Sequence, residues 1–344
     1  MLKDRGSGFR ASDGGARGAE MTGLRPPPKP DAPTRVVLRM LVLVVLVLAA
    51  GVIVWTAVTE QRIELIEDVP RDDLELEPFV TSDGTELNVV SEGDGPVPLV
   101  LLHDIDVAGN VIWDGVLARL DAGFTVLRVD LPGFGLSERI PAEGSRHTVA
   151  SMAGQVAEVI EQIVGQPAVI AGVGLGGEVG AEIAVVRPEV VTALMMIDVD
   201  FYKPDGWDEL VQKLPWVGKA ATFALETSGP FAAGRWAPNC ESGGWCPTQS
   251  QVAARDLAET ISGTSASIRA FHATPAASQV PSQLSDIVVP VHYIWSQQGE
   301  VPRESVDRVQ EALPDAEFEV LAEAWKAHLD QPADVAAAIA TLAP

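Results

Sequence analysis

The sequence predicts an α/β protein: a doubly wound, mostly parallel sheet with an inserted helical lid, preceded by one transmembrane helix. Three observations predict it. Short apolar, β-branched runs alternate with segments of helical spacing through most of the chain, the pattern of successive βαβ units. One such run ends in a glycine cluster and leads directly into a helical pattern, AVIAGVGLGG over Ala168–Gly177 followed by Glu178–Val186. Finally, Met40–Val58 is a run of 19 residues without a charge, long enough to cross the hydrocarbon layer as a helix.

The elements follow in order. Residues 1–35 hold Gly, Pro and charge without an apolar period (GGARG, RPPPKP) and read as a disordered cytoplasmic tail. Residues 36–59 form the membrane helix, with Trp55 where an interfacial aromatic would stand. A cleaved signal peptide is the competing reading, but its apolar core is usually about 7–15 residues after a short basic region. A basic leader followed by the acidic Glu60–Glu77 stretch orients the helix with its N-terminus in the cytoplasm and the bulk of the chain outside. Residues 60–78 read as an acidic linker with a helical pattern at Ile63–Ile66.

From residue 79 to 344 the pattern is that of one domain. Phe79–Thr81 and Glu86–Val90 flank Ser82-Asp83-Gly84-Thr85, a hairpin signal. Pro98–His103 is an all-apolar strand, as expected where both faces of a sheet are covered. Trp113–Leu120 reads as helix, Phe124–Leu131 as strand, Ser151–Val164 as an N-capped helix, and Ala168–Val173 as strand. After the helix at Glu178–Val186 comes the strand Thr192–Val199. Residues 201–287 break the alternation and hold Trp207, Trp216, Trp236 and Trp245, so they read as the lid. Val289–Trp295, Glu304–Leu313, Glu317–Leu321 and Ala333–Leu342 then resume it as strand, helix, strand and helix.

Charge narrows the function. Of 24 basic and 48 acidic residues, seven and four precede residue 36, and Arg39 is the only charge between 36 and 59. The part from Glu60 onward therefore carries 16 basic and 44 acidic residues, net −28. Such a surface repels phosphate backbones, so no nucleic-acid partner is expected. The two cysteines, Cys240 and Cys246, sit in NCESGGWCP; outside the cell they can form a disulfide, the alternative being two free thiols. Two cysteines alone make no structural zinc site, and neither metal nor cofactor is expected.

Several ordered segments resemble the α/β-hydrolase superfamily, in its small-molecule branch with a helical cap. TSDGTELNVVSEGDGPVPLVLLHD is similar to that family's first hairpin and third strand, which ends in a His-Gly pair; here the pair is His103-Asp104. RVDLPGFGLSER matches the loop after the fourth strand, with Asp130, Pro132, Gly133, Gly135 and Ser137 in place. IWSQQGEVP is similar to the turn that carries the acid, and HLDQPADVAAAI to the ending just after the catalytic histidine. The glycine cluster then corresponds to the nucleophile elbow, G-x-S-x-G, a serine on a tight strand-to-helix turn.

The resemblance implies a nucleophile, a histidine base and an orienting carboxylate. Here the nucleophile position falls on Gly174, the acid position on Gly299 and the histidine position on Trp325. Glycine has no side chain to attack with, and an indole accepts no proton at neutral pH. In the oxyanion-loop region, formed by His103, Asp104 and Leu175, a carboxylate stands where the family has glycine and would oppose developing negative charge. Asp198, Asp200 and Glu300 are the fallback acids. Ser137 and Ser296 lie in loops but not on an elbow; His103 and His292 read as structural, and His147 and His272 have no partner visible in sequence.

The same glycines, Gly172 to Gly177, also satisfy G-x-G-x-x-G between a strand and a helix, with Asp198 ending the next strand, so a dinucleotide fingerprint is a rival reading. The leading expectation is a membrane-tethered, catalytically silent member of this fold. It would bind a hydrophobic small molecule or lipid under the lid, or a protein partner. An ester hydrolase with relocated residues is the alternative.

Overall fold

The computed structural model describes residues 32–140, 146–202, 207–214, 216–227, 236–237, 240–242, 244–274 and 280–343. Most of the expected tail, residues 1–31, lies outside them. The chain divides into two compact units, residues 1–52 and 53–344.

In the first unit the described residues form the N-terminal part of one long helix, α1 (Ala32–Ile66). Among the described residues its apolar side chains from Val36 to Val52 are exposed. The stretch Val36–Ile66 is long and apolar enough to cross a membrane, by length and composition. The helix begins inside the segment expected to be tail and runs seven residues beyond the expected end of the span.

The second unit contains the end of α1 and a seven-stranded sheet. Its strands are β3 (Val89–Glu92), β4 (Val97–Leu102), β5 (Phe124–Val129), β6 (Ala168–Val173), β7 (Val191–Ile197), β8 (Val291–Ser296) and β9 (Glu317–Leu321). Their order is β3-β5-β4-β6-β7-β8-β9. Only β3 is antiparallel to its neighbour; the remaining pairs are parallel. A separate hairpin, β1 (Phe79–Val80) with β2 (Glu86–Leu87), closes over the Thr81–Thr85 turn.

Both faces of the sheet are covered. Along β4, Val100 and Leu102 enter one apolar cluster while Leu99 and Leu101 enter the other. Successive side chains of a strand point to opposite faces, so a strand buried on both sides has to be apolar at every position. Helices α2 (Val149–Val159) and α3 (Leu175–Val186) pack together along one face, and α7 (Pro332–Thr341) belongs to the cluster on the other.

Between β7 and β8 the chain leaves the sheet for a helical insertion containing α4 (Gly218–Glu226), α5 (Gln249–Thr260) and α6 (Thr264–Ala273). Thr248 caps α5 through a reciprocal pair with Gln251. Cys240 and Cys246 are joined in a disulfide. Beside it Trp236 and Trp245 stack edge to face, and Trp236 Nε1 donates to Asp106 Oδ2 at 3.0 Å, tying the insertion to the loop after β4.

The segment 60–78 is not a free linker, and this corrects the sequence expectation. Ile63 is buried, and the Glu67 carboxylate accepts the Ser265 backbone N–H at 3.0 Å and the Ser265 hydroxyl at the start of α6. Val69 forms a parallel bridge with Ile261. Arg71 Nε donates to the Leu136 carbonyl at 2.7 Å, and its guanidinium pairs with Glu86. Acidic composition suggested a solvated spacer, but Glu67 and Arg71 instead find partners 198 and 65 residues away.

Candidate functional site

The carboxyl ends of β4, β6, β7 and β8 converge, as ligand sites do in open α/β sheets. At the end of β6 the chain turns through Gly174 (φ +48°, ψ −114°) into α3. That conformation is strained for an L side chain and free for glycine. The flanking glycines answer to packing: a Cβ on Gly172 would stand 2.3 Å from the Gly176 backbone, and one on Gly176 would stand 2.4 Å from the Leu102 carbonyl oxygen. The strand and helix can meet this closely only without side chains there.

The side-chain space above Gly174 is already filled. A Cβ on Gly174 would lie 2.1 Å from Asp104 Oδ1 and 2.4 Å from Asp104 Cγ. Asp104 stands just after β4, and its Oδ1 accepts the Leu175 backbone N–H at 3.0 Å. One carboxylate therefore occupies the space that a side chain at position 174 would take and holds the N–H of the first residue of α3. It also opposes the dinucleotide reading, because the N–H that would face a pyrophosphate already holds an anion.

His103 lies beneath this arrangement. It is fully buried, with Nε2 accepting the Leu131 backbone N–H at 2.9 Å and Nδ1 donating to the Asp104 carbonyl. Both ring nitrogens are engaged with backbone, which fixes the loop and leaves the imidazole no nitrogen for chemistry.

Asp198 ends β7 and is the one non-glycine residue with positive φ among the described residues. Its Oδ1 accepts the Ser296 N–H and its Oδ2 the Ser296 hydroxyl, both at 2.6 Å. Ser296 Oγ in turn accepts the Ala327 N–H at 2.8 Å. The carboxylate thus clamps the end of β8 to the loop holding Trp325 and Lys326. Burial pushes its pKa up to about 6, against the lowering effect of the Ser296 and Ala327 hydrogen bonds.

Trp325 lies on the cavity wall, with the Lys326 ammonium 5.0 Å from its ring centre. Gly299 has no room for an acid: a Cβ there would stand 2.6 Å from the Trp325 carbonyl oxygen. His328, in the ending that follows the expected histidine position, is buried against Trp113, and burial lowers its pKa to about 3, so it stays neutral.

A cavity of about 710 Å³ is walled in part by Asp104, Gly174, Leu175, Asp198 and Trp325. Asp200 and Glu300 also face it, whereas His103 and Gly299 do not. The structure adds four residues to the wall that sequence reasoning left unassigned: His147, Glu178, Lys213 and His272. His272 Nε2 lies 3.1 Å from the Glu226 carboxylate. Their segments are separated by up to 125 positions, so no local pattern pointed to them as a group. Among the described residues no group of three or more His, Cys, Asp or Glu could hold a metal ion.

Residues 99–338 match the model of the alpha/beta hydrolase family. The chain belongs to that family. Among its curated relatives, the pimeloyl-[acyl-carrier protein] methyl ester esterase of Klebsiella pneumoniae is 38% identical over 105 residues, 30% of this chain and 37% of that enzyme. The chain thus spans less than half the length of the curated relatives it matches. Of the solved structures, a hydrolase from Pseudomonas aeruginosa superposes with a TM-score of 0.62 at 22% identity, over 78% of this chain and 98% of that one. A thermophilic esterase from Thermogutta terrifontis gives 0.57 at 20% identity, over 78% and 96%. At these identities the structural likeness shows this α/β-hydrolase chain's fold, not its chemistry.

Proposed function

We propose that this α/β-hydrolase-family protein is tethered to the cell membrane by α1, with its main domain outside, and works by binding rather than hydrolysis. The ligand is a hydrophobic small molecule or a lipid taken into the 710 Å³ cavity. One observation carries this reading: Asp104 fills the space where an elbow side chain would stand and holds the Leu175 N–H. An ester carbonyl approaching there meets a carboxylate where hydrolysis requires a nucleophile and a free donor. Trp325 supplies no base, and Asp198 spends both oxygens on Ser296. The wall offers Phe201, Phe271 and Trp325 for apolar contact. The disulfide accords with an exterior location.

The second reading, an active esterase with relocated residues, draws on the 38% identity to a methyl ester esterase over 105 residues. Fluorophosphonate labelling of the full chain, read by intact mass beside an active family control, separates the two. No adduct is the expected result; a stoichiometric adduct mapped to one serine would establish the esterase and end the binding reading.

A further inference from the structure

The insertion presents an apolar turn to solvent. Leu210 is 53%, Leu214 48% and Trp216 86% exposed. Asp208 and Glu209 precede Leu210, Lys213 lies inside the stretch and Lys219 follows it, so the turn itself carries lysine in a domain whose net charge is −28. Exposed apolar clusters rimmed by polar groups mark contact surfaces. Tryptophan with lysine is the composition favoured at the boundary between acyl chains and anionic headgroups.

The turn sits beside the emerging end of α1. The Leu214 carbonyl accepts from Arg269 Nη2 at 3.5 Å, one helical turn along α6 from Ser265, which holds Glu67. Burial raises the Glu67 pKa, and the positive charge of Lys219 is among the effects that oppose that rise. Glu67 continues the helical hydrogen bonding of α1, its N–H donating to the Ile63 carbonyl at 2.7 Å. Nine residues of helix separate Val58, the end of the uncharged run, from Glu67, which is about 14 Å of rise. A headgroup layer of roughly 5–8 Å takes up part of that height, leaving Glu67 within about 10 Å of the lipid surface.

We propose that Leu210, Leu214 and Trp216, flanked by Lys213 and Lys219, form a second membrane contact that seats the insertion on the lipid surface. This rests on the reading of α1 as a membrane anchor. It has a consequence for the cavity: Lys213 belongs both to this surface and to the cavity wall, so that edge of the cavity faces lipid. A hydrophobic ligand would then pass from bilayer to cavity without crossing water.

The test uses the full chain in nanodiscs containing anionic phospholipids brominated near the headgroup end of the acyl chain, which quench nearby tryptophan. W216F and W55F are compared singly and together, both at exposed positions where folding is undisturbed. Quenching that persists in W55F and falls to the double-variant level when Trp216 is also replaced supports the contact. Quenching of Trp55 alone, seen in W216F and absent from W55F, overturns it while leaving the anchor intact. No quenching in either variant overturns the contact and the anchor together. A concentration-dependent blue shift of Trp216 without quenching would assign the surface to a second copy of the chain, and the lipid proposal falls. In a K213E/K219E variant, the Trp216-dependent quenching is expected to drop at least twofold.

Discussion

Asp104 Oδ1 accepts the backbone N–H of Leu175 at 3.0 Å, although the two residues lie 71 positions apart. This bond turns the anion-stabilising end of α3 inward onto the protein's own carboxylate. A helix N-terminus favours negative charge, so Asp104 is held where the dipole and the N–H act together. A side chain at position 174 and the Asp104 carboxylate compete for the same space, since a Cβ on Gly174 would lie 2.1 Å from Asp104 Oδ1.

Restoring the serine alone is therefore expected to destabilise the fold. Gly174→Ser forces its Cβ against Asp104 and imposes a positive φ on a non-glycine residue. Overpacking and backbone strain of this kind cost about 1–3 kcal/mol each. Thermal unfolding should show a lower Tm for G174S and partial recovery in D104G/G174S. Adding W325H should permit fluorophosphonate labelling with Asp198 as the acid. Gly299→Asp is left out of that set because the Trp325 carbonyl blocks its Cβ.

The Asp198 carboxyl gives a pH dependence of defined sign. Its folded-state pKa, about 6, lies above the ordinary aspartate value, so the folded state holds the proton more tightly than the unfolded chain. Its contribution to stability is present below the unfolded pKa and is lost as pH rises through about 6. The two pKa values differ by about two units, or roughly 2–3 kcal/mol. Urea unfolding of wild type and D198N at several pH values isolates this group. The stability difference, wild type minus variant, should shrink between pH 4 and 7; a constant difference would contradict the assignment.

Glu67 joins the end of α1 to α6 through two hydrogen bonds to Ser265. Replacing it with alanine leaves the Ser265 N–H and hydroxyl without their acceptor, a loss of about 1–3 kcal/mol. Hydrogen exchange on E67A should show faster exchange in residues 67–74 and in the first turn of α6, with the β4–β8 sheet unchanged. Equal protection in both proteins would mean that Val69 and Arg71 hold the segment without Glu67.

The strands and the glycine turn were legible because their causes are local. An apolar run at every position means a strand covered on both faces, and Gly172 and Gly176 mark the close approach of strand to helix. The segment 60–78 misled: its acidic composition concealed that Glu67 and Arg71 have partners 198 and 65 residues away.

By itself, then, the sequence determined the order of strands and helices, the family and the apolar stretch near the N-terminus. Each of these depends on residue type and spacing over a few turns of chain. Only the tertiary structure decided that Asp104 stands in the space above Gly174, that Asp198 serves as a clamp for Ser296, and that His147 and His272 reach one cavity. Those facts depend on parallel pairing, which sets β4 beside β6 and β7 beside β8 and so juxtaposes residues about 70–100 positions apart. Crossovers of that length leave no periodic trace in the chain, because the contact is made by the sheet and not by the intervening residues.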